Sequence, residues 1–160
     1  MDWIQQSRIE GVMVQPLNQF NDERGWLSEL WRLDEADVPS VMCYASMTHA
    51  GMARGPHEHV HQTDVFIFLT GRWRVRLWDN RVGSTTHLAV MDVEIGDYRL
   101  NPPVRIVVPP GVVHAYAKSG HQDGLVLNFP DKLYRGAGKQ EPPDEIRHEG
   151  NKTYSMEGMP

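Results

Sequence analysis

Arg54-Gly55-Pro56-His57-Glu58-His59-Val60-His61 and, further along the chain, Pro109-Pro110-Gly111-Val112-Val113-His114 are the stretches on which the reading of this sequence turns. Each joins a glycine- and proline-bearing turn to imidazoles. In an extended segment successive side chains point to opposite sides, so His57, His59 and His61 share one face. Such a cluster is costly in a plain apolar core, but the mouth of a small β-barrel can gather it with His114 into a site. Histidine changes charge close to neutral pH and is the commonest metal ligand, so proton transfer and metal coordination are the two chemistries to weigh. A solvated polar edge is the plainer alternative, and it leaves the second histidine-bearing turn unexplained.

Outward from these turns the chain reads as strands. In Arg72-Trp73-Arg74-Val75-Arg76-Leu77-Trp78 the residues Trp73, Val75 and Leu77 fall on one face, with three arginines and Trp78 on the other: a half-buried antiparallel strand. Val65 to Leu69 is apolar on both faces, as a strand between two layers would be, and ends in a Thr70-Gly71 turn. Further strands are expected at Trp26 to Leu33, Val41 to Met47, Leu88 to Val93, Arg105 to Val108, His114 to Ala117 and Leu125 to Phe129. Asp34 to Val38 is the one expected turn of helix. Asp79 opens an Asp-Asn loop turn. Eleven prolines and fourteen glycines punctuate the chain at the spacing of short strands and turns. The expectation is an all-β fold in a single domain over 1–160, with a barrel core at about 12–134 and an irregular tail over 135–160.

The composition narrows the function. A net charge of -5 and a pI near 5.9 argue against a protein that holds nucleic acid or an anionic membrane by its overall field, so any anion site is local. The single cysteine, Cys43, excludes an intrachain disulfide framework and reads as core filler in a strand. The first residues lack the basic start and apolar run of a signal peptide, and no stretch has the apolar length of a membrane span, so a cytoplasmic protein is expected.

The spacing His57-x-His59, Asp64, Gly71, then Pro109-x-Gly111-x-x-His114 resembles the paired motif of the cupin superfamily, with Asp64 where a glutamate is usual. That resemblance covers about Met52 to Ala117 and implies a double-stranded β-helix, a jelly-roll barrel, often built around a divalent metal. Three imidazoles and one carboxylate, His57, His59, Asp64 and His114, form a suitable ligand set. Residues outside that motif narrow the resemblance. Phe20-Asn21-Asp22-Glu23-Arg24-Gly25-Trp26-Leu27-Ser28-Glu29, Arg54-Gly55-Pro56-His57, Trp78-Asp79-Asn80-Arg81, Pro109 to His114 and Asn128 to Tyr134 are similar, in order, to segments of the dTDP-4-dehydrorhamnose 3,5-epimerase family.

This second resemblance implies an epimerase or isomerase of a dTDP-linked 4-keto-6-deoxy sugar that works without a cofactor, typically as a homodimer, in deoxysugar or polysaccharide synthesis. It makes His57 the general base, Tyr134 the acid on the opposite sugar face, and Asp79 and His114 supporting groups. Arg24 and Arg54 become diphosphate contacts and Phe20 and Glu29 contacts to the thymine base. A positioned imidazole can remove a proton beside a ketone where the enolate is stabilised, and return of a proton from the other face inverts the carbon. Arginine's planar fork suits a diphosphate.

The sequence also departs from the family. Asp64 stands where the family has a lysine, His59 and His61 are additional, and the late aspartate that pairs with the base has no clear counterpart. His59 and His61 are therefore assigned to the substrate site. Two other readings stay open: a metal-dependent cupin enzyme using His57, His59, Asp64 and His114, and a nucleotide-sugar binding protein without turnover.

Overall fold

The computed structural model describes residues 7–96 and 101–157, so the start of the chain, read above for a leader, lies outside the described residues. The strands are, in chain order, β1 (Met13–Pro16), β2 (Phe20–Asp22), β3 (Gly25–Leu27), β4 (Tyr44–Thr48), β5 (Ala53–Glu58), β6 (Asp64–Phe68), β7 (Arg72–Asp79), β8 (Val90–Ile95), β9 (Val104–Val108), β10 (Val112–Ser119), β11 (Gly124–Asn128) and β12 (Ile146–Arg147). Two 3-10 turns, Ala137–Lys139 and Lys152–Tyr154, are the only helical segments among the described residues, and no helix there is long and apolar enough to cross a membrane.

The strands form two five-stranded antiparallel sheets, β1-β9-β6-β11-β4 and β12-β5-β10-β7-β8, with β2-β3 as a separate hairpin. From β5 to β11 the chain passes repeatedly between the two sheets, which is the expected jelly-roll barrel. Alternation fixes which side chains fill it. Trp73, Val75 and Leu77 of β7 meet Phe66 and Phe68 of β6, Met91 and Val93 of β8, Ile106 of β9 and Tyr116 of β10 in one core. Leu77 is fully buried, a side chain of the kind whose removal from water contributes about 1.5–3 kcal/mol. Phe68, Trp73 and Tyr116 pack edge to face, with ring centroids 5.5–5.6 Å apart.

The expectation of β6 as a strand apolar on both faces is met. Val65 and Ile67 point away from the barrel into a second cluster with Val107, covered by Leu17, Leu30, Val38, Leu127 and Phe129.

Several expectations are corrected. The strand expected from Trp26 to Leu33 is only the hairpin strand β3, and Asp34 to Val38 holds an isolated turn and bends. Charged neighbours explain the latter, because Arg32 pairs with Glu29, Asp34 and Glu35 across an exposed stretch, and Val38 at its end is the residue of Asp34 to Val38 that packs on an apolar cluster. Cys43 lies exposed ahead of β4 and is not core filler. Trp78, read as sharing the outer face with the arginines, is buried, because the tail covers it: Tyr154 packs edge-on at 5.7 Å and Met156 joins them over Val113 and Ala115.

The tail is therefore structural. β12 adds to the edge of β5, pairing Ile146 with Glu58 and Arg147 with His57. Glu58, on the outer side of β5, is buried beneath it and accepts a bond from Asn80 at 2.8 Å, while Nε2 of His148 stands 2.9 Å away.

Candidate active site

The β5–β10 pairing holds a bulge. His114 lies opposite His57 and Tyr116 opposite Arg54, so two β5 residues, Gly55 and Pro56, oppose Ala115 alone. Gly55 has φ +81, and a Cβ there would stand 2.5 Å from the carbonyl oxygen of His114. Only glycine fits, and the bulge reverses the strand's parity. Arg54 and His57, three residues apart, thus line one cavity of about 930 Å³.

That cavity is bounded by Tyr44 and Ser46 of β4, Arg54 and His57 of β5, His59, Phe66 of β6 and Tyr116 of β10. The segment 130–149 supplies another wall with Tyr134, Arg135, Lys139, Asp144 and Arg147. At its base the predicted histidines meet. Nε2 of His57 lies 3.1 Å from Nε2 of His114, and Nε2 of His59 and of His114 lie 3.2 and 3.3 Å from Oδ2 of Asp64. One donor atom from each of His57, His59, Asp64 and His114 falls within 4.8 Å of the other three, so these are the residues that could hold a metal.

Buried amides hold this group. Asp64 is 1% exposed, and its Oδ1 accepts from Gln62 at 2.8 Å and from Asn128 at 2.7 Å. Asn128 also donates to the Tyr44 hydroxyl, while its own oxygen accepts the Val65 N–H, which fixes the orientation of the amide. The backbone carbonyls of Val112 and Asp144 lie against Nδ1 of His114 and Nδ1 of His59. A carbonyl only accepts, so each Nδ1 carries the hydrogen and each Nε2 faces the cluster.

The electrostatics follow from burial and proximity. Burial, then the charges of His114 and His59, push His57 down to about 3, so it is neutral and able to accept a proton. The same neighbours weaken it as a base; when they are neutral, the Asp64 carboxylate favours a proton on His57. Burial opposes charge on Asp64, but the His114 and His59 imidazoles outweigh it and hold the carboxyl far below the usual carboxylate range. Burial likewise opposes charge on His59, and Asp64 outweighs it and raises that imidazole.

The other sequence-assigned residues are placed as follows. His61 does not share the face of His57 and His59: β5 ends at Glu58, and beyond it the His61 side chain is exposed in a loop and absent from the cavity wall. Asp79, at the end of β7, does not line the cavity. Its buried carboxylate binds Arg81, Ser84 and Thr86 and so closes the loop they occupy. Burial raises its pKa, and the bonds from those three outweigh that and hold it well below the usual range. Phe20, Arg24 and Glu29 lie on or just beyond the exposed β2–β3 hairpin, outside the cavity of their own chain, with Arg24 paired to Asp22 and Glu29 to Arg32. Arg54 is in the cavity wall, where Thr48 and the Met47 carbonyl accept its hydrogen bonds. Tyr134 opens into the cavity. Sequence reasoning missed Arg135, Lys139, Asp144 and Arg147, which lie in a polar tail with no periodicity to mark them.

An antiparallel jelly roll with an imidazole–carboxylate cluster at the base of an open, cation-lined cavity defines a barrel of the cupin class. Comparison narrows this: residues 6–139 match the family model of dTDP-4-dehydrorhamnose 3,5-epimerase, and the chain belongs to that family, whose members are sugar epimerases and isomerases. It is 34% identical over 142 residues to the probable low-salt glycan biosynthesis epimerase Agl13 of Haloferax volcanii, covering 87% of this chain and 86% of that protein. It is 30% identical over 140 residues to the spore coat polysaccharide biosynthesis protein SpsL of Bacillus subtilis, covering 87% and 88%. Among solved structures, a dTDP sugar isomerase from Desulfovibrio desulfuricans G20 superposes with a TM-score of 0.77 at 25% identity, over 88% of this chain and 85% of that one.

Proposed function

We propose that this enzyme epimerises or isomerises a dTDP-linked 4-keto-6-deoxy sugar by removing a proton beside the ketone, in the supply of deoxysugars for a polysaccharide or glycan. The observation that carries this reading is that one cavity holds a neutral imidazole, His57, a phenol, Tyr134, and the cations Arg54, Arg135 and Lys139. His57 is the base and Tyr134 the proton donor that returns a proton. His114 orients His57 through their 3.1 Å contact, and His59 brings the positive charge that the family's lysine would otherwise bring near an enolate oxygen. The arginines suit the two phosphates. Base, acid and anion contacts are all side chains of this chain, so the reading needs no cofactor.

The enzyme is assigned to the cytoplasm and to a homodimer. Phe20 and Leu27 on the hairpin and Met47 on edge strand β4 are exposed apolar side chains that a second copy would cover. A second copy is also what would bring the Phe20, Arg24 and Glu29 contacts toward a cavity.

The test is NMR of a dTDP-4-keto-6-deoxy sugar in deuterated water with chelator-treated protein. Wild type exchanges the proton beside the ketone and forms epimer or ketone isomer. His57→Ala slows exchange by about 10²–10⁴. Tyr134→Phe retains exchange and slows inversion. Binding without exchange in wild type refutes the reading in favour of a sugar-binding protein.

A further inference from the structure

The hydroxyl of Tyr44 is held by its oxygen, with its hydrogen unused. Asn128 stands opposite Tyr44 in the β4–β11 register, and three contacts fix which way its amide points. Its oxygen accepts the Val65 N–H at 3.0 Å, and its nitrogen lies 2.7 Å from Oδ1 of Asp64 and 2.9 Å from the Tyr44 oxygen. An amide nitrogen only donates, so one of its two hydrogens goes to each partner and the Tyr44 oxygen accepts. The phenol hydrogen therefore turns elsewhere, and among the described residues nothing accepts it. Tyr44 lines the cavity, so that hydrogen is presented to whatever fills the cavity. The hydroxyl itself reaches in to the buried amide, and burial pushes its pKa up to about 12, so the phenol stays protonated at neutral pH.

We propose that the Tyr44 hydroxyl donates a hydrogen bond to the ketone oxygen of the bound sugar and stabilises the enolate that forms there. This role rests on the epimerase reading and names the donor that its chemistry requires. When His57 takes the proton from the carbon beside the ketone, the C–H electron pair becomes the new carbon–carbon double bond and the carbonyl pair moves onto oxygen. The phenol keeps its own proton throughout. Its position suits the task. One Asn128 nitrogen bonds both Tyr44 and Asp64, and Asp64 belongs to the cluster that holds His57, so the hydroxyl stands one amide away from the base's surroundings. β4 and β5 lie in different sheets, so donor and base approach the sugar from different walls of the cavity. The need is chemical as well. Asp64, in place of the family's lysine, cannot stabilise a developing oxyanion, and Nε2 of His59 faces that carboxylate at 3.2 Å. His59 supplies charge, and the direct hydrogen bond is left to a neutral donor. A donor oriented in advance by a buried amide needs no reorganisation as charge develops.

Tyr44→Phe removes the hydroxyl alone. The variant should show a cooperative melting transition and bind dTDP, which has no ketone, as wild type does in calorimetry. With a dTDP-4-keto-6-deoxy sugar in deuterated water, kcat for exchange beside the ketone should fall by about 10²–10³, the cost of one oxyanion donor, with KM little changed. Tyr134→Phe, in contrast, retains exchange. A second protein carries a fluorotyrosine in place of Tyr44, which keeps the hydrogen bond and makes the phenol more acidic. Its exchange should be lost as pH rises through the lowered phenol pKa, in a range where wild type still exchanges, because a phenolate cannot donate. Exchange at the wild-type rate by folded Tyr44→Phe, or a fluorotyrosine protein with the wild-type pH profile, overturns the role of Tyr44 and leaves the epimerase reading intact. If Tyr44→Phe does not fold, the fluorotyrosine profile decides. Wild type that binds the sugar without exchange overturns the epimerase reading and this role with it.

Discussion

Replacing Asp144 by alanine should loosen the tail and the site together. The Asp144 carboxylate caps the loop after β5: Oδ1 accepts the Val60 N–H at 3.0 Å, and Oδ2 accepts those of His61 and Gln62, each at 2.8 Å. A hydrogen bond to a charged group contributes about 1.5–3 kcal/mol, but a donor that water can reach recovers most of that when its partner is removed. Val60 and His61 are exposed and Gln62 is buried, so one bond of the three is lost without compensation. The expected cost is about 2 kcal/mol, or about 4–8 °C of melting temperature for a chain of this size. Asp144→Asn keeps a neutral acceptor and should lose less. Because the Asp144 carbonyl also holds Nδ1 of His59, local opening of the tail should reach the cluster. Calorimetry gives the stability, and amide hydrogen exchange at residues 60–62 gives the local effect. An unchanged melting temperature with those three amides still protected would refute the claim that this carboxylate anchors the tail.

Two further perturbations separate backbone from charge. Gly55→Ala places a Cβ against the His114 carbonyl at a positive φ, so it should cost about 1–3 kcal/mol in urea unfolding and shift the His114 NMR resonances; a variant as stable as wild type with those resonances unmoved would remove the steric reading of the bulge. Asp79 has its pKa lowered in the folded state, so its contribution is present above the unfolded value of about 3.9 and is lost as pH falls toward the folded value. The stability gap between wild type and Asp79→Asn should therefore be constant near neutrality and close as pH drops below about 4; a gap independent of pH from 7 to about 3 would contradict it.

The sequence by itself determined the barrel and four of the residues at its heart. Alternation of Trp73, Val75 and Leu77 and the continuous apolar run of β6 follow from side-chain period and burial, which are local properties. The two histidine-bearing stretches were enough to mark His57, His59 and His114, and the resemblance to the cupin motif added Asp64; the bulge at Gly55-Pro56 in β5 and the turn at Pro109-Pro110-Gly111 before β10 set the histidines of neighbouring strands side by side. Only the tertiary structure decided what parity and distance control. The bulge set Arg54 beside His57 where simple alternation would oppose them, and the end of β5 at Glu58 turned His61 outward. The tail carries no apolar period of its own. Its order comes from long-range contacts, β12 on β5, Tyr154 on Trp78 and Asp144 on three loop amides, and a contact between segments so far apart in sequence leaves no trace in the local pattern of either.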